Sequence, residues 1–75
     1  MTSERHEHLR KLEQIGEAHY GAMYETSSPS GEYANAKDAF SDAIALAREL
    51  GESETVKRLE ARLAHIKAVF RSQFT

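Results

Sequence analysis

The sequence predicts an all-α fold, a three-helix antiparallel bundle running up-down-up. Two observations carry that prediction. Apolar residues recur three and four positions apart through three long stretches, the period of a helix with one buried face. The stretches are parted by one segment rich in serine, proline and glycine and by one isolated glycine, and nowhere do apolar and polar residues alternate as in a half-buried strand.

The first helix is expected over about 3–24. Leu9, Leu12, Gly16, Tyr20 and Met23 form its stripe, with Ile15, Ala18 and Ala22 on a row beside it. Thr2 or Ser3 suits the cap, and Glu4 and Glu7 sit at the positive end of the helix dipole. Gly16 and Gly21 each cost a helix about 1 kcal/mol relative to alanine, so a close neighbour or a bend is expected where they stand. Ala18, Gly21 and Ala22 together read as a smooth contact patch.

Glu25-Thr26-Ser27-Ser28-Pro29-Ser30-Gly31 is loop chemistry, and Pro29 drives Ser28 out of helical geometry. The second helix is expected over 31–50. Its seam is Ala36, Phe40, Ala43, Ala47 and Leu50, at spacings of four, three, four and three. Small residues on a buried side let a second helix axis come close, and Phe40 fills the space beside them. Gly51 supplies a left-handed stop. The third helix is expected over 54–72, with Val56, Leu59, Leu63, Ile66 and Phe70 as its stripe. The short turn before it makes the second and third helices antiparallel neighbours.

Seventy-five residues make a single domain, 1–75, and a chain of this size buries little more than about 60% of its unfolded surface. There is no cysteine, so neither a disulfide nor a thiolate metal site exists. No apolar run reaches the roughly 20 residues of a membrane span, and the polar, acid-bearing start resembles no export or transit signal. A cytoplasmic location is expected. A net charge of −2 provides no field for nucleic acid or anionic lipid. The last third of the chain is mildly basic and the rest mildly acidic, which reads first as complementarity between packed helices.

The stretch from Gly31 to Leu46 resembles the second helix of a tetratricopeptide repeat. Tyr33, Ala36, Phe40, Ala43 and Ile44 match that family's aromatic, small and aliphatic places, and Leu12, Ile15 and Gly16 match those of its first helix. The chain departs from the pattern where His19 stands for an aromatic residue and where about seven extra residues separate Tyr20 from Tyr33. The resemblance therefore implies one divergent repeat with the third helix closing it. It also implies a shallow groove between the first and third helices, lined by Lys11, Gln14, Ala18, Ala22, Arg58, Arg62 and His65. The two arginines would meet acidic groups of a partner.

Catalytic and metal chemistry finds little footing. His6 and His8 stand two apart and point to different sides of one helix, so they read as solvated residues. His19 borders an apolar stripe and reads as a packing residue, and His65 reads as solvated. No Glu-x-x-His or His-Glu-x-x-His spacing is present. Glu13 with Glu17, and Asp38 with Asp42, face the polar side and read as solvated neighbours in mutual repulsion. No enzyme activity, cofactor, metal or small-molecule substrate is expected. The expected function is non-catalytic protein–protein interaction, adaptor-like or regulatory, with a partner peptide or helix. The alternative is a self-associating structural bundle, a homodimer whose pairing covers Ile15, Met23, Tyr24, Phe70 and Phe74.

Overall fold

The middle helix organises the molecule because its apolar residues occupy more than one side. In a computed structural model that describes residues 3–74, helices α1 (Ser3–Ala22), α2 (Pro29–Glu49) and α3 (Ser53–Gln73) form an antiparallel bundle. The cap expected at Thr2 or Ser3 falls outside the described side chains. Helix α2 packs closely along both α1 and α3, whereas α1 and α3 meet chiefly through long side chains. Seven α2 residues are buried, from Ala36 to Ala47, against Leu59, Leu63 and Ile66 of α3 and Leu9 of α1. The backbone spans 42 × 19 × 12 Å, an elongated and flattened bundle.

Ala36, Phe40, Ala43 and Ala47 are all 0% exposed, so the seam of small residues lies where the spacing puts it. Phe40 explains Gly16. A Cβ built on Gly16 would stand 2.6 Å from one carbon of the Phe40 ring and 2.7 Å from another. The ring is laid on the bare backbone of α1, a contact only glycine permits. Gly21 has no such neighbour, since a Cβ there meets nothing within 4 Å.

The helix ends follow backbone chemistry. Pro29 opens α2, two residues before the expected start, because its fixed φ suits the first helical turn and its missing N–H has no partner there in any case. At the other end Gly51 adopts φ 72°. Its N–H donates to the Arg48 carbonyl at 3.1 Å and the Glu52 N–H to the Ala47 carbonyl at 3.0 Å, the paired bonds of a Schellman stop. Helix α1 ends at Ala22, and Met23 to Glu25 form a turn. Met23 is 1% exposed, which corrects the expectation that it would be left uncovered.

The two α1 glycines give opposite outcomes on substitution. Gly16→Ala forces a methyl into the fully buried Phe40 ring. The overpacking, of about 1–3 kcal/mol, exceeds the helix-propensity gain of about 1 kcal/mol. Gly21→Ala collects the propensity gain alone, about 0.5–1 kcal/mol. Urea unfolding should place the midpoint of G16A below the parent and that of G21A above it.

Candidate interaction surface

Parallel helices on either side of α2 bring matched residues of α1 and α3 together at a constant offset. Glu13 and Arg58, like Glu17 and Arg62, are 45 residues apart in the chain. Arg58 donates to both Glu13 oxygens at 2.5 and 3.0 Å, and Arg62 to both Glu17 oxygens at 2.7 and 2.8 Å. Next along, the ring centres of His65 and Tyr20 stand 6.3 Å apart with the rings nearly perpendicular, at the same offset, while the Arg62 guanidinium lies 5.0 Å from the Tyr20 ring centre. Each partner is one turn from the next on its own helix, so a ladder of two-pronged ion pairs crosses the α1–α3 line.

This geometry corrects the reading of Glu13 and Glu17 as solvated neighbours in repulsion. Each has a guanidinium to itself, from a helix that single-helix spacing cannot reveal. The Arg58 hydrogen bond is the main reason that the Glu13 carboxyl lies below its ordinary 4.5; partial burial pulls the other way and the arginine's charge adds to the lowering. The same pairing, again chiefly through the hydrogen bonds, raises the already high values of Arg58 and Arg62.

Ion pairs also tie the helix ends. Arg5 reaches Glu49 at 2.6 Å and Arg48 reaches Glu60 at 2.6 Å. His6 pairs with Glu52 at the α2–α3 turn, and His19 Nδ1 lies 2.6 Å from Glu32 at the start of α2. His6 is therefore a half-buried helix-to-turn contact and not the free surface residue expected. His19 is half-buried as expected, and His8 and His65 are exposed.

Five of the six aromatic residues gather where the α1 and α3 C-termini meet the α2 N-terminus. Tyr33 stacks on Phe70 with centroids 3.9 Å apart, Phe70 continues to Phe74 at 5.9 Å, Phe74 to Tyr24 at 5.3 Å, and Tyr24 to Tyr20 at 5.7 Å. Phe70 and Phe74 are half-buried within this chain of rings. Helical periodicity placed Tyr20 and Phe70 on apolar stripes but carried no signal that the five rings would meet at one pole.

The seven residues expected to line one groove fall into two groups. Arg58, Arg62 and His65 lie on α3 toward α1. Lys11, Ala18 and Ala22 stand about 100–180° round α1 from Glu13 and Glu17, on its outer side, and Gln14 lies between. Lys11, Gln14 and Ala18 are exposed and Ala22 is half-buried. Gln14 and Ala18 share an open hollow of about 600 Å³ with Arg10, Glu13 and Glu17. A second hollow, of about 410 Å³, runs between α2 and α3 over Ile44 and Leu63, with Arg48 and Glu60 at its rim. Ile15, at 48% exposed, and Tyr24, at 52%, are the exposed large apolar side chains among the described residues.

Among the described residues no group of three acidic, histidine or cysteine side chains could hold a metal, and no helix is long and apolar enough to cross a membrane. No protein-family model, curated protein or solved structure matches this chain.

The depressed Glu13 carboxyl fixes a pH dependence. The fold favours its ionised form, so its contribution is complete above about pH 4.5 and is lost as pH falls through the depressed value. The Glu52 carboxyl, held low first by its hydrogen bond to His6 and next by that from Thr55, acts in the same direction. Unfolding free energy measured by urea titration should fall from about pH 5 downward, and less steeply in Glu13→Gln than in the parent.

Proposed function

We propose that this chain is a non-catalytic protein–protein interaction module whose docking face is the outer side of α1. The observation that carries this reading is Ile15. A β-branched apolar side chain stands 48% exposed in mid-helix, on a face that neither α2 nor α3 covers, beside exposed Ala18. An apolar residue beside one with a small side chain leaves room for another helix to lie close. Lys11 and Gln14 border the patch and supply polar contacts at its rim.

The hairpin of α1 and α2 supports a further reading as one divergent tetratricopeptide-like unit closed by α3, with the Phe40 ring seated on Gly16 as the family's aromatic-on-small contact. On that reading the acidic groups expected from a partner peptide at Arg58 and Arg62 are supplied from within, by Glu13 and Glu17. Docking then falls to the outer half of the expected residues, Lys11, Gln14, Ala18 and Ala22. The absence of thiols suits a cytoplasmic setting.

A photo-crosslinking amino acid placed at Ile15 reads this face directly, with the same residue at exposed Ala45 on α2 as the comparison. Irradiation in cells should yield a discrete adduct from position 15 and little from position 45. Adducts that are absent at 15, or equally abundant at 45, would reject α1 as the docking face.

A further inference from the structure

Resting on the reading of α1 as a docking face, we infer that its occupant is a second copy of this chain, laid antiparallel across a two-fold axis. Lys11, Ile15, Ala18 and Ala22 follow spacings of four, three and four, so they form one stripe along α1. In an antiparallel helix pair, residues on the two edges of such a stripe face each other in layers. One register places Ile15 of each copy on Ala18 of the other. The same register places Lys11 of each copy on Ala22 of the other, because the step from 11 to 15 equals the step from 18 to 22. Large therefore meets small in each layer, and each pairing is reciprocal, as an isologous contact requires.

Charge completes the match. A helical side chain leans toward the N-terminus of its own helix. Antiparallel to its neighbour, the Lys11 stem crosses Ala22 of the second copy and carries its ammonium toward Glu25, three residues on. Lys11 and Glu25 are both exposed, and neither enters an ion pair among the described residues. Glu7, one turn before Lys11 and also exposed, flanks the same position, so each lysine faces a carboxylate from either copy. The stripe is complementary to itself in size and sign.

The contact is one helix pair about 16 Å long from Lys11 to Ala22, with Glu25 in the turn just beyond it. That falls below the roughly 1,200 Å² of a stable interface, so the dimer is a weak one, filling across micromolar to millimolar protein.

Sedimentation equilibrium over that range, with circular dichroism to verify folding, decides the matter. The parent should show concentration-dependent dimers. Lys11→Glu alone and Glu25→Lys alone should each weaken association about tenfold or more, and the double variant K11E/E25K should recover most of the loss. Ile15→Glu should leave a folded monomer. A parent that stays monomeric at millimolar concentration, or a double variant no tighter than either single one, overturns the inference. If the crosslinker at Ile15 captures a different protein while the chain stays monomeric, the docking face stands and the second copy is rejected.

Discussion

The Phe40 ring resting on Gly16 is the contact on which the rest of the arrangement depends. It brings α1 and α2 as close as backbone and ring allow, and its position fixes both the height and the rotation of one helix against the other. The neighbouring Ala36, Ala43 and Ala47, all without exposed surface, prolong the approach on either side of the ring. A chain this short cannot build a wide core and must instead bring its helices near. With α2 packed along both partners, the placement of α1 on α2 also determines where α1 stands relative to α3.

The ion-pair ladder follows from that placement and in turn specifies it. Solvent-facing salt bridges contribute little each, typically under about 1 kcal/mol, so Glu13–Arg58 and Glu17–Arg62 are a minor source of stability. Their value lies in register. Glu13 and Glu17 repel each other along α1, as do Arg58 and Arg62 along α3, and only one alignment relieves both repulsions with two complete pairs. A slip of one turn would join Glu17 to Arg58 and leave Glu13 and Arg62 without their partners. The aromatic chain from Tyr33 to Tyr20 closes the far pole, where all three helices contribute rings.

Most of the fold was legible because a helix writes its buried face into local spacing. The α2 seam, the α3 stripe and the glycine stop at Gly51 could be read from residues within two turns of each other, and the element ends lie within two residues of expectation. Pro29 shows where local reasoning stops short: its loop character was plain, yet the same fixed φ that breaks a helix also begins one. The surface was less legible. Single-helix spacing saw Glu13 and Glu17 as neighbours and had no means of seeing arginines 45 residues away. His6 and Glu52, or Tyr33 and Phe70, pose the same problem. Pairings between helices depend on rotation about each axis, which the apolar stripe fixes only to within its own width. That width separated Lys11, Ala18 and Ala22, on the outer side of α1, from the arginines expected to share their groove.

A stripe spaced four, three and four and rich in alanine appears in α2 and again in α1. In α2 it runs through Ala36, Phe40, Ala43 and Ala47, and the structure buries every member. In α1 it runs through Lys11, Ile15, Ala18 and Ala22, and the structure leaves the first three exposed and Ala22 half-buried. The physics of close helix approach is the same in both places: residues without bulk admit a neighbouring backbone, and one larger apolar side chain fills the remaining space. Gly21 belongs to the same open side and costs the helix about 1 kcal/mol with no contact inside the chain to offset it. Within one copy the second stripe is covered only in part, at Ala22, because α2 lies on one side of α1 and α3 on another. A bundle of only three helices cannot cover each of them on all sides. A neighbour from outside is thus the arrangement in which both stripes obey one rule.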